Sequence, residues 1–417
     1  MSLTKTFQNI VVVLVLCILF SSCSYRHYLN LRKAGHFDSK PQTYVDSIAF
    51  LYHRNHIIIP IQIEGNTYHF LFDTGMEISL IDSSYANHFN FSKAGKLKVS
   101  DSGNRSSKIP VVTLDSIIIA GATFNKFSTL LANINPIRAI HSCNLDIIGI
   151  LGNDVMHHFA WKINFQEQIM SFSPSLKHLL VEKSDYQMIE MICEGEGNAK
   201  IAAALAGVKK NFIFDTGYTG SFTGSSKYLE ELNKNKGYQN KKLHRSGLSS
   251  IGLLGSVSGV TTYLIVDSLM LDDNLMVSTQ IHLQPGHKFL IGNQFLGKFQ
   301  SIVFDWESCR LYVEKQPKDY SFNFSRFQYS IYADINQQKL HLGIKWLEHP
   351  ILFDVSSDNT IISIEGIELQ NMNKMEFCKF VNQQLPKLKT KEELNLTISE
   401  GGKLRSIILT KANLVPK

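Results

Sequence analysis

The chain has 417 residues, 42 Lys and Arg against 36 Asp and Glu, and a formal net charge of +6. That length has room for two or three domains, and 44% hydrophobic residues supply cores for them. So small a charge, with no basic stripe interleaved with aromatics, argues against nucleic-acid binding, and 10 Pro without a low-complexity run argue against long disorder.

Residues 1–22 read as a signal peptide rather than part of a fold. Lys5 gives a basic start, Ile10–Phe20 an apolar core too short to span a bilayer, and Ser21-Ser22-Cys23 follows. Cys23 behind small residues resembles a bacterial lipobox, with Phe20 where Leu is commoner. The resemblance implies lipid attachment at Cys23, and several acyl chains hold a protein durably where one does not. An ordinary secretory signal with an incidental Cys23 is the alternative. Residues 23–45 then form a tether to the membrane. The expected location is the bacterial cell envelope, the outer membrane or the periplasmic face being favoured, with Ser24 pointing to outer rather than inner membrane retention.

Next comes an internal repeat. Ile57-Ile58-Ile59-Pro60-Ile61-Gln62-Ile63-Glu64-Gly65 reads as a strand and a Gly turn, and the returning strand ends Phe70-Leu71-Phe72-Asp73-Thr74-Gly75. Ile201–Gly207 and Phe212-Ile213-Phe214-Asp215-Thr216-Gly217 repeat the pattern 142 residues later. Each half therefore opens with a β-hairpin that delivers an Asp. Leu114–Ile119 matches Val266–Leu271. Ile148-Gly149-Ile150-Leu151-Gly152-Asn153 matches Phe289-Leu290-Ile291-Gly292-Asn293, with short helices expected over 154–159 and 294–299. Trp161–Phe165 matches Ile302–Trp306. Short β-branched or aromatic runs bounded by Gly, Asn or Asp predict a mainly β fold.

Tandem hydrophobic-hydrophobic-Asp-Thr-Gly, each with a later hydrophobic-hydrophobic-Gly, resembles the pepsin/retropepsin aspartic proteases over about residues 50–315. The resemblance implies two pseudo-symmetric acid-protease lobes, 46–180 and 181–316, each giving one Asp to a central cleft. It makes Asp73 and Asp215 the catalytic dyad. Thr74 and Thr216 would lock the two loops together, Gly75 and Gly217 would allow close backbone approach, and Gly152 and Gly292 would pack beneath. Two such carboxyls about 3 Å apart share a proton, so one can activate water while the other polarises a carbonyl. The family's flap hairpins would fall at Lys98–Lys108, with its tip at Asp101–Asn104, and at Ser246–Thr262. The sequence departs from the family after each Asp-Thr-Gly. A small residue is usual there, but this chain has Met76 and Tyr218.

Residues 325–415 lie outside the repeat. Strand Ile361–Ile367, helix Lys374–Gln384, and strands Leu394–Ile398 and Ser406–Leu409 joined by Gly401-Gly402 resemble the second half of a PDZ domain. The carboxylate-binding loop has only the remnant Leu342-Gly343-Ile344. An unrelated small α+β domain is the alternative.

Cys143, Cys193, Cys309 and Cys378 allow three pairings, and a Cys193–Cys309 bridge beneath the lobes is one of them. No Cys-x-x-Cys occurs and His157-His158 has no complementary ligand set, so no metal and no cofactor is expected. Ser79 and Ser221 form no recognisable Ser-His-Asp order, and Glu77 reads as a surface residue.

The expectation is a lipid-anchored aspartic-type endopeptidase whose partners are a peptide or protein substrate and the membrane, with no nucleic acid and no oligomer required. Competing with it are a catalytically inactive pepsin-like lipoprotein that binds peptides or partners, and a purely structural lipoprotein.

Overall fold

The computed structural model describes residues 36–37, 44–141, 143, 145–180, 185–193, 197–234, 241–314, 324–353, 355 and 359–414. The expected signal segment 1–22, the expected anchor Cys23, and all of the expected 23–45 tether except 36–37 and 44–45 lie outside them. Strand His36–Phe37 pairs with the backbone at 124–125.

The chain is mainly β. Strands His56–Ile63 and Asn66–Phe72 pair around Glu64-Gly65, and strands Lys200–Leu205 and Val208–Phe214 around Ala206-Gly207. Both turns have two left-handed residues, with φ of 48° and 79° in the first and 48° and 78° in the second. That backbone follows the right-handed twist of the strands, so each hairpin closes tightly. Each returning strand then gains a parallel neighbour: Phe72 lies opposite Leu151 of Ile147–Leu151, and Phe214 opposite Ile291 of Leu290–Ile291. Both neighbours are wholly buried, which explains their continuous apolar sequence.

The halves join through one antiparallel sheet. Ala160–Asn164 pairs with Ser301–Asp305, so the matching C-terminal segments of the repeat lie side by side with Trp161 opposite Phe304. Ile169–Ser173 and Asp46–Ala49 extend the sheet on one side, Arg310–Glu314 and Tyr186–Ile192 on the other. A Cys193–Cys309 disulfide closes the latter edge. Phe304 contacts both Phe214 (ring centroids 5.2 Å apart) and Phe72 (6.4 Å), and Trp161 packs on Phe72 at 5.1 Å. One apolar core therefore runs beneath both Asp-Thr-Gly strands.

The downstream helices are shorter than expected, Asn153–Met156 and Asn293–Leu296. Trp161 ends the first by donating its indole N–H to the Met156 carbonyl (2.9 Å). Residues from Ser325 onward build an α+β module with its own core around Tyr329, Leu342, Ile361, Phe377, Leu396 and Leu409. Its first expected strand breaks at Glu365-Gly366, both left-handed, into Thr360–Ile364 and Ile367–Glu368. Its helix runs past Gln384 to Leu388 because Leu385 is also buried. Among its ties to the rest, strand Lys339–Trp346 pairs with Lys241–Gly252, and Cys378 bonds Cys143.

Since Phe304 supports both Asp-bearing strands, Phe304→Ala should lower the unfolding free energy by about 3–5 kcal/mol, measured by denaturant titration.

Candidate active site

Each apolar strand fixes its Asp by pairing to the very end. The Asp73 amide donates to the Leu151 carbonyl (3.0 Å) and the Asp215 amide to the Ile291 carbonyl (2.9 Å). The next residues exchange bonds between the halves. Thr74 N–H donates to Thr216 Oγ1 (3.0 Å) and Thr216 N–H to Thr74 Oγ1 (2.9 Å). Each hydroxyl in turn donates to a carbonyl across the junction, Thr74 to Phe214 (2.7 Å) and Thr216 to Phe72 (2.8 Å). Both threonines are fully buried, so all four bonds are shielded from water.

The glycines then bring the loops into contact. A Cβ on Gly75 would lie 2.4 Å from Asp215 Cγ, and one on Gly217 would lie 2.3 Å from Asp73 Cγ. No side chain fits either place. Gly75 N–H donates to Asp73 Oδ1 (2.8 Å), and Gly217 and Tyr218 N–H donate to Asp215 Oδ1 (2.9 and 3.0 Å). The two carboxyls hydrogen-bond each other. Gly152 and Gly292 lie beneath, where a Cβ would meet the Met76 carbonyl at 2.8 Å and the Tyr218 carbonyl at 2.2 Å.

Burial holds both carboxyls above the usual carboxylate range. Asp215 is raised the more, with the Asp73 charge adding to its burial, while the hydrogen bond from Asp215 favours an ionised Asp73. The two groups are coupled, so they titrate as a pair rather than singly, with Asp215 the more strongly raised.

The two unusual fourth positions go different ways. Met76 lines a cavity of about 220 Å³ with Ile78, Leu97, Val99 and Leu130, beside Gly75 and under the first hairpin. The exposed Glu77 borders the same cavity. Tyr218 turns back into its own half: its ring lies against Gly292, its hydroxyl reaches Gly220, and it bonds the side chain of Thr223. Its bulk is thus absorbed behind the loop.

Both expected flaps are β-hairpins, Phe91–Ser100 with Ser106–Ile119 and Lys241–Gly252 with Gly255–Leu271. Their tips meet. Arg105 pairs with Asp101 (2.6 Å) and donates to the carbonyls of Gly255 (2.9 Å) and Ser256 (3.3 Å) on the opposing tip. Lys288 N–H donates to the Ser102 carbonyl (3.1 Å).

Four supporting residues escaped the sequence reading. Asn153 and Asn293 donate to the carbonyls of Thr74 (2.8 Å) and Thr216. Their signal was present, since Asn follows Gly in both landmarks. Asn198 and His56 bond the carbonyls of Gly75 (3.0 Å) and Gly217, each in the opposite half. They too are 142 residues apart. His157 packs on Trp306 and His158 on Phe124. Among the described residues, no cluster of three His, Cys, Asp or Glu is placed to hold a metal ion.

Thr216→Val leaves the buried Thr74 amide without an acceptor and should cost about 1–3 kcal/mol in denaturant unfolding, whereas Thr67→Val on the exposed hairpin should stay within about 0.5 kcal/mol.

A family model described as Aspartyl protease matches residues 59–155, from the first hairpin to the segment after Gly152. No curated protein matches the chain. The match makes residues 59–155 similar to aspartyl proteases and supports peptide hydrolysis as the class of chemistry.

Proposed function

We propose that this protein is an aspartic-type endopeptidase in which Asp73 and Asp215 activate one water molecule between them. The observation that carries the reading is the mutual contact of the two loops, each carboxyl against the glycine of the other. With the shared proton on Asp215, Asp73 is the base. The water oxygen bonds to the peptide carbonyl carbon as its proton passes to Asp73. Asp215 donates to the carbonyl oxygen as negative charge grows there. The C–N bond then breaks as Asp73 returns its proton to the leaving nitrogen, and one of the two hydroxyls on the former carbonyl carbon re-forms the C=O bond and passes its proton back to Asp215. The amide donors already aimed at both carboxyls supply this orientation before substrate arrives.

The substrate is an extended peptide or protein segment lying between the dyad and the hairpins. The Arg105 contacts between hairpin tips must open to admit it. The binder reading drew on the bulk of Met76 and Tyr218. The reach of Tyr218 toward Thr223 in its own half favours turnover instead. Attachment through Cys23 at the cell envelope rests on the sequence around it. The C-terminal module is read as PDZ-like from its order of strands and helix, and its disulfide to Cys143 would keep it beside the cleft.

Asp73→Asn and Asp215→Asn should each lower peptide cleavage by at least about 10²–10⁴-fold, assayed with a peptide library between about pH 3 and 7. Cleavage by Asp73→Asn at the wild-type rate would exclude the mechanism. The rate should be bell-shaped in pH, falling on the acid side as Asp73 gains a proton and on the alkaline side as Asp215 loses one. Because burial raises both groups, both limbs should lie above the ordinary carboxylate range.

A further inference from the structure

The two halves steady their Asp loops with different chemistry at one equivalent position. In one direction Asn198 donates through Nδ2 to the Gly75 carbonyl (3.0 Å) and accepts at Oδ1 from Asn153 Nδ2 (3.0 Å). In the other direction His56 bonds the Gly217 carbonyl and takes its second bond at Nδ1 from His141 Nε2 (2.9 Å). The donor–acceptor pattern is the same, with an amide replaced by an imidazole. The neighbouring Asn55 strengthens the second clamp by donating to the Thr219 carbonyl (3.0 Å).

The histidine extends into a chain. His141 Nδ1 lies 2.9 Å from His53 Nδ1, and the rings pack edge to face at about 5 Å. A neutral imidazole has one donor and one acceptor nitrogen, and a carbonyl only accepts. The Gly217 carbonyl therefore fixes every proton in the series: His56 Nε2–H to Gly217, His141 Nε2–H to His56 Nδ1, His53 Nδ1–H to His141 Nδ1. Adding a proton to His56 or His141 sets two N–H groups face to face, so a bond breaks or the chain reverses.

We propose that His56 is a positioning residue for the Asp215 loop, the titratable counterpart of Asn198, and that protonation of the His56–His141–His53 chain loosens that loop in acid. This rests on the dyad reading above. The link to chemistry is short, because Gly217 donates to Asp215 Oδ1 and lies against the Asp73 carboxyl. The Gly217 carbonyl favours a proton on His56, but burial and nearby positive charge outweigh it. Arg54, in the turn before His56, acts on all three rings, and Lys389 of the C-terminal helix faces Arg54. Arg138, on the same helix as His141, is engaged elsewhere with Asp82 and Asp146. Burial lowers His56 to about 4 and His141 to about 3. Each folded-state value lies below the ordinary 6.5, so the unfolded chain binds more protons in this window. Stability conferred by the chain is present above pH 6.5 and is lost as pH falls toward 4.

The test compares wild type, His56→Asn and His56→Ala in the full-length protein. ¹³C-carboxyl NMR would follow the dyad, assigned by comparison with Asp73→Asn, and pH–rate profiles would follow cleavage. Asn can donate to Gly217 and accept from His141 but cannot titrate there. His56→Ala should displace the dyad titration and lower kcat by about tenfold, the equivalent of one lost hydrogen bond. His56→Asn should recover most of that loss, and its unfolding midpoint should fall less than that of wild type between pH 6.5 and 4. Equal effects of Ala and Asn on titration and rate, or none from Ala, would overturn the proposal. If the wild type cleaves nothing, the endopeptidase reading fails, while the carboxyl titration still decides whether His56 positions the loop.

Discussion

Two hydroxyl groups hold this site together. Thr74 and Thr216 each accept from the other's amide and donate to a carbonyl beyond it, so neither Asp loop completes its hydrogen bonding within its own half. Buried backbone groups left unpaired are costly, and this exchange is what satisfies them. The glycine contacts and the coupling of the two carboxyls follow from it. The sheet beneath is arranged for the same end, since Trp161 and Phe304 pair the two halves directly under Phe72 and Phe214.

Around that symmetric centre the halves have diverged. Ser79 bonds Asp154 and the Gly152 amide, whereas Gly292 N–H is held by the Ser221 carbonyl. Met76 faces a cavity while Tyr218 is tucked behind its loop. Among the described residues only the second hairpin is extended by a strand of the C-terminal module, with His244 2.6 Å from Glu348. Opposing carboxyls need only the central exchange. The periphery is free to differ, and there the protonation state of each Asp, the shape of the cleft and the response to acid can be set.

Much of the fold was legible because the strongest signals are local. Two apolar runs ending in Asp-Thr-Gly, in register with later Gly-Asn pairs, mark strands whose burial on both faces forces an unbroken hydrophobic sequence. The turns at Glu64-Gly65 and Ala206-Gly207 are equally local. What stayed hidden depends on distance or direction. Cys143 and Cys378 are 235 residues apart, and no spacing rule selects that pair. The size of Tyr218 suggested an obstruction, yet backbone direction after Gly217 decides where the ring goes. His56 looks like an ordinary strand start until the 142-residue offset sets it against Asn198. The strand joining the C-terminal module to the second hairpin has no sequence mark, because main-chain pairing between distant segments leaves none.

Neutron diffraction from the protein at mildly acidic pH would examine the centre directly. The account predicts carboxyl oxygens of Asp73 and Asp215 within hydrogen-bond reach, with one deuteron between them bonded to Asp215. Two fully protonated or two ionised carboxyls, or oxygens held apart in separate pockets, would contradict it.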